Sequence, residues 1–324
     1  MQKILCTGGA FMKKIPVWID TDCGVDDAIA LLCAGRLDNI EIVGASAGVG
    51  TVDLGNTFRN TRDVLCLAGR KDVPVYPGAA SSWIEPYRPA PQFHGENGLG
   101  NCEIPHSDAP LLQEHAWDKM KEAADRYEGE LIIVTLGQLT DLATAIVKYP
   151  SFSRKIKALY MMGGAVDGGN TTMCAEANVV RDPEAAQCVF KSGIPIVMFG
   201  LDVTEKVYFD RDDLDKIALK DSEVCRLVRE STKIAIETNR RSVRGDIYNL
   251  HDVCPVLYLK YPELFQGKQA GVYVETGGRI TRGKTISDLY VLSDKKLPAK
   301  NTYVITEADR EKLAKITVEI LLSY

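Results

Sequence analysis

One feature restricts the fold of this chain more than any other. Short apolar runs alternate with stretches whose apolar residues recur at a helical period of about 3.6. "KIPVWID" precedes "DDAIALLCAGR", "IEIVGASAG" precedes "LGNTFRNTRDVLCLAGR", and "ELIIVTLG" precedes "LTDLATAIVKY". "IKALYMMGG" follows, and "DPEAAQCVFKSG" then leads into "IPIVMFGLDV". A strand separated from the next by a helix pairs with it in parallel through a crossover. The pattern therefore predicts an α/β class with a mostly parallel sheet and helices on both faces. A helical stretch is expected over 211–260, then a C-terminal hairpin from "GVYVETGG" and "TISDLYVL", then a last strand and helix. Residues 76–110 interrupt the rhythm with a Pro- and Gly-rich excursion, as active-site loops do.

The 324 residues can bury one large core, and neither a repeat nor a linker divides them. Met12-Lys13-Lys14 reads as a second start, so residues 1–11 are expected to be a disordered extension and 12–324 a single domain. A net charge of -5 without a basic stripe argues against nucleic acid, and no apolar run is long enough to span a membrane. Nine scattered cysteines without a C-x-x-C pair point to reduced thiols and a cytoplasmic location. Four histidines are too few for a histidine-rich transition-metal site.

Between the first strand and first helix, "VWIDTDCGVDDAIA" crowds Asp20, Asp22, Asp26 and Asp27. Sites of this fold class lie at the carboxyl ends of the strands, where this turn falls. Helix capping accounts for Asp26 or Asp27 but not for all four. A hard divalent cation does, and oxygen ligands alone favour Ca²⁺ or Mg²⁺. An EF-hand is excluded, because Val25 and Leu31 occupy its glycine and glutamate positions. An alternative is a haloacid-dehalogenase-like phosphatase with Asp20 as nucleophile and Asp22 as acid/base. That family wants Thr or Val where Gly24 stands. Residues 278–285 match the P-loop pattern, but a strand pattern follows them and the nucleotide-binding context is absent. His251-Asp252 opens an apolar helix and offers a titratable acid and one more carboxylate. Glu176 and Asn178 alternate in a loop, so they can share a face.

Together these segments resemble the inosine–uridine-preferring nucleoside hydrolase family. The resemblance runs from Ile15 nearly to the C-terminus through "DTDCGVDDA", "FHGENGLG", "VTLGQLTDLA", "MMGGA…GN…AEAN…DPEAA", "GLDVT", "HDVCPVLYL" and "ETGGRITRGKTISD". It implies a Rossmann-like domain, a Ca²⁺ cofactor, and hydrolysis of a ribonucleoside to base and ribose in a homodimer or homotetramer. Carried onto this chain, Asp22, Asp27, Asp252 and the Leu136 carbonyl would hold the metal, with Asp22 as general base for its water. Asp26, Asn178 and Asp252 would bind the 2′- and 3′-hydroxyls, Asn170 and Glu176 the 5′-hydroxyl, and Met162 would pack on the sugar. His251 would protonate the leaving base.

Two positions depart from the family. Val49 stands where many members carry a ribose-contacting Asn, with Asn56 as a substitute to consider, and Cys23 replaces the usual Pro. An inert buried thiol is the expectation for Cys23. Trp83, Tyr87, Phe93 and Tyr248 are candidates to stack on the base, whose class the residues leave open. A non-catalytic nucleoside or ribose binder on the same fold is the alternative from another class. Asp22, Asp27, Asp252 and His251 together argue against it, because binding alone needs no water-activating base.

Overall fold

The computed structural model describes residues 13–241, 245–289 and 300–324. The expected extension at 1–11 lies outside the described residues, as does the end of the "TISDLYVL" segment. The strands are β1 Ile15–Thr21, β2 Ile40–Ala47, β3 Val75–Pro77, β4 Leu131–Thr135, β5 Ile156–Met162 and β6 Ile196–Phe199. After these come β7 Tyr208–Phe209, β8 Tyr248–Asn249, β9 Phe265–Val274, β10 Thr285–Asp288 and β11 Thr302–Ala308. The helices begin with α1 Val25–Arg36, α2 Leu54–Leu67, α3 Pro91–His94, α4 Ala116–Arg126, α5 Thr140–Lys148 and α6 Ala177–Arg181. They continue with α7 Pro183–Phe190, α8 Leu201–Thr204, α9 Arg211–Ala218, α10 Glu223–Arg240, α11 Val253–Tyr258 and α12 Arg310–Leu322.

Among the described residues, nine strands form one sheet in the order β10-β9-β11-β6-β5-β4-β1-β2-β3. Every neighbour from β11 to β3 is parallel, and β9 and β10 add the predicted antiparallel hairpin at one edge. The chain leaves β1 for β2 and β3, then returns to β4 on the other side of β1. This reversal opens a crevice beyond the carboxyl end of β1, where open α/β sheets bind ligands.

Side chains of β1 alternate between two buried layers, as a strand covered on both faces requires. Val17 and Ile19 join one core, and Trp18 the other. On the first face α1 packs against α2, α10, α11 and α12; on the second α5 packs against α4 and α7. No described helix is long and apolar enough to cross a membrane. The helical stretch expected over 211–260 is broken into α9, α10 and α11. The Ser222 hydroxyl accepts from the Cys225 N–H at 3.2 Å and starts α10 afresh. After α10, Gly245 takes a positive φ of 75°, and β8 pairs with β7 before α11 begins.

Candidate active site

A cavity of about 430 Å³ lies beyond the carboxyl end of β1, within the ~300–1,000 Å³ range of small-molecule sites. Asp22, Asp26 and Asp27 line it from the β1–α1 turn, and Asp252 faces them from the start of α11. Local hydrogen bonds set the turn. The Asp27 carboxylate accepts from the Gly24 N–H at 2.9 Å and from the Thr21 hydroxyl, tying the strand end to the first helical turn. Asp22, 2% exposed, sits between two close backbones. A Cβ at Gly50 would come within 2.0 Å of its Oδ2, and one at Gly137 within 2.6 Å of its Oδ1. Its Oδ2 accepts from the Thr51 N–H at 2.6 Å and from Arg181 Nη1 at 3.2 Å.

Burial, and then neighbouring carboxylates, set the electrostatics. Desolvation followed by the charge of Asp27 pushes the Asp22 carboxyl well up, against the pull of Arg181 and Thr51. Asp252 is raised by burial and by Asp26, Asp27 and Asp22. Asp26 is raised to about 7 by burial and then by Asp27. Asp26, Asp27 and Asp252 each offer an oxygen within 4.8 Å of the others. Such a buried, oxygen-only set is relieved by protons or by a hard divalent cation, so these residues fit the expected ion. The compact group includes Asp26, whereas Asp22 stands beside it, held by Thr51 and Arg181.

The residues expected at the sugar also line the cavity: Leu136, Met162, Asn170, Glu176 and Asn178. Glu176 caps α6, and its two oxygens accept from the N–H groups of Asn178 at 2.8 Å, Gly164 at 2.9 Å and Val179 at 3.2 Å. Burial still raises its carboxyl. The Asn178 amide donates to the Leu136 carbonyl at 2.7 Å and to the Met162 carbonyl at 3.2 Å. Asn170 Oδ1 accepts from the Ala177 N–H at 2.9 Å.

Phe93, Tyr248 and His251 line the cavity, with the His251 Nδ1 at 2.8 Å from the Thr204 hydroxyl. Trp83 does not. Its indole N–H points to the Thr144 hydroxyl on α5 at 3.3 Å, and its ring is 41% exposed. Tyr87, at 40% exposure, is likewise outside the lining. Asn56 turns to Asp53 and Arg59 instead of substituting at the ribose. Thr51 lines the cavity, its N–H bonded to Asp22. The phosphatase reading fails on position, because Asp20 is 3% exposed and bonds Ser46 behind the strand instead of lining the cavity. Cys23 is fully buried, and burial pushes its thiol up, so it stays protonated.

Three functional candidates escaped the sequence reading: Thr51, His94 and Arg181. The His94 Nδ1 accepts from the Val25 N–H at 3.2 Å, and burial lowers the ring to about 3, so it is a neutral side chain with its proton on Nε2. Its signal was a histidine inside the long Pro/Gly loop. The signal for Arg181 was its spacing, three residues after Asn178 and on the same helix face.

A sequence profile described as inosine-uridine preferring nucleoside hydrolase matches residues 17–315. The pyrimidine-specific ribonucleoside hydrolase RihA of Citrobacter koseri is 34% identical over 311 residues, covering 96% of this chain and 99% of that protein. Among solved structures, the plant nucleoside hydrolase PpNRh1 superposes with a TM-score of 0.90 at 29% identity, covering 96% of this chain and 100% of its own. A purine-preferring ribonucleoside hydrolase from Gardnerella vaginalis gives 0.88 at 28% identity, covering 95% and 98%.

Proposed function

We propose, from a chain that belongs to the inosine-uridine preferring nucleoside hydrolase family and is therefore a hydrolase of N-glycosyl compounds, a Ca²⁺-dependent attack of water on the ribosyl carbon of a ribonucleoside. The observation that carries this reading is one cavity holding Asp22, the Asp26–Asp27–Asp252 group and two histidines. Family membership sets aside the non-catalytic binder.

Asp27, Asp252, Asp22 and the Leu136 carbonyl are the groups that would hold the ion. Bound there, a hard divalent cation would supply charge balance and a lower pKa for water beside it. Asp22 accepts the water's proton on Oδ1, the oxygen that Thr51 and Arg181 leave alone. Asp26, Asn178 and Asp252 bind the 2′- and 3′-hydroxyls, and Glu176 and Asn170 the 5′-hydroxyl. Glu176 is aimed for this by three backbone N–H groups. The same carboxylates stabilise the positive charge that develops on the sugar as the glycosidic bond breaks. His251, its ring fixed against Thr204, gives a proton to the departing base.

Charge also selects the substrate. The lining carries Asp22, Asp26, Asp27, Glu176 and Asp252 against Arg181, so a phosphorylated nucleoside is repelled and a neutral one accepted. The named relatives differ in the base they act on, so the test carries both classes. Released ribose is measured from inosine, uridine, adenosine and cytidine, with a chelator and after Ca²⁺ is restored. Ribose released from at least one, lost with chelator and regained with Ca²⁺, is the expected result; ribose from none sinks the reading. A 2′-deoxy analogue leaves buried acceptors unpaired, for a penalty of about 2–4 kcal/mol in kcat/KM.

A further inference from the structure

Among the described residues that line the cavity, Arg181 is the one lysine or arginine. It ends α6, three residues after Asn178, and Asp182-Pro183 starts α7 at once, so its backbone is fixed from both sides. The guanidinium reaches back into the acid cluster. Nη1 donates to Asp22 Oδ2 at 3.2 Å and to Asn178 Oδ1 at 3.3 Å. The Arg181 side chain is 10% exposed and that of Asp22 3%, so little water screens the pair. Hydrogen bonds from described residues reach Oδ2 of Asp22, whereas Oδ1 lies against Gly137. Backbone at Gly50 and Gly137 wedges the carboxylate and opposes any exchange of its two oxygens.

We propose that Arg181 is a resident counter-cation: it balances Asp22 when the divalent ion is absent and loosens the ion when it is present. The inference rests on the cation reading given above and adds a residue to it. An ion sharing Asp22 with a guanidinium is repelled by that charge, and the weak screening in the pocket keeps the repulsion large. Arg181 also steadies the Asn178 amide, which donates to the Leu136 carbonyl. It is thus a positioning residue for two groups on the ion's side of the cavity.

The test uses the full chain stripped with chelator and dialysed. CaCl₂ is titrated calorimetrically into wild type, Arg181→Ala, Arg181→Gln and Arg181→Lys, and thermal unfolding is followed in chelator and in saturating Ca²⁺. Loss of the charge in Ala or Gln is expected to tighten Ca²⁺ binding by about tenfold or more, and Lys to stay near wild type. The Ala and Gln variants should unfold at lower temperature than wild type in chelator, and saturating Ca²⁺ should close the gap. Gln keeps much of the side chain's volume, so it decides the matter if Ala does not fold. A merely structural role would not tighten an affinity. Equal or weaker Ca²⁺ binding by a folded Gln variant overturns the role of Arg181. No Ca²⁺ binding by any of the four proteins overturns the cation reading itself, and this proposal with it.

Discussion

Two acid clusters stand back to back at the end of β1, and they relieve the same crowding in opposite ways. Behind the strand, Asp20 accepts from the Ser46 hydroxyl at 2.5 Å, and Ser46 accepts in turn from the Trp18 indole N–H at 2.9 Å. The Asp20 carboxyl also meets that of Asp141, whose Oδ1 accepts from the Ala79 N–H at 2.6 Å. Burial raises both acids, Asp141 to about 6, so the pair is stable when it shares a proton. In front, Asp22 faces the cavity with Arg181, Thr51 and the Asp26–Asp27–Asp252 group. The rear cluster closes on hydroxyl, backbone and proton. The front one retains negative charge, which the proposed ion and sugar would meet. Chemistry belongs where the fold leaves the charge unsatisfied.

The largest effect should separate the two. Asp22→Ala removes the proposed general base and a ligand of the ion, so ribose release should fall by about 10³-fold or more at unchanged far-UV circular dichroism. Asp20→Asn keeps an acceptor for Ser46 and should leave turnover within about tenfold. Equal losses in the two variants would break the distinction between front and rear.

Much of this contrast was readable in the chain. Strand and helix periodicity gave the parallel sheet and placed the aspartates around the carboxyl end of β1, because burial on both faces leaves continuous apolar runs; Asp20 is still within the strand. Division of labour among the aspartates was less legible. Asp20 and Asp22 point differently because they fall on either side of the strand's end, and the partner of Asp20 is distant in sequence, at Asp141. Trp83 looked like a stacking residue by composition, yet its indole N–H finds Thr144 and carries it out of the cavity. Asn56 followed the right turn but is consumed by the start of α2, where Asp53 accepts its amide. Such outcomes depend on which long-range polar partner is nearest, and local pattern does not encode that.

The next effect is on stability, and it reverses with the ion. A carboxyl raised in the folded state takes up a proton on folding, so its contribution is lost as pH rises from the unfolded value near 4 through the folded one. For Asp26 that window ends at about 7. Asp26→Asn removes this dependence. In chelator the variant should therefore gain on wild type between pH 4 and pH 8, by up to about 4 kcal/mol in denaturant unfolding. Saturating Ca²⁺ favours the ionised carboxylate and should abolish the gain. A gain that persists in Ca²⁺ would place Asp26 outside the ion's influence.

Asp141→Asn should give the smallest change and the sharpest contrast. The amide can still accept from the Ala79 N–H and can donate to Asp20, so the bond between the two side chains survives without a shared proton. Its window follows the same sign, because both acids are raised: wild type loses stability as pH rises from near 4 through about 6, and the variant, left with the buried Asp20 alone, loses less over that range. Near pH 5 the two should unfold within about 1 kcal/mol of each other, with the variant ahead at pH 8. Since this pair lies behind the strand, the difference should be the same in chelator and in Ca²⁺, and ribose release should stay within about threefold. A Ca²⁺-dependent difference, or a loss of turnover like that of Asp22→Ala, would mean that the rear pair sets the charge of the front cluster, joining what the cavity boundary separates.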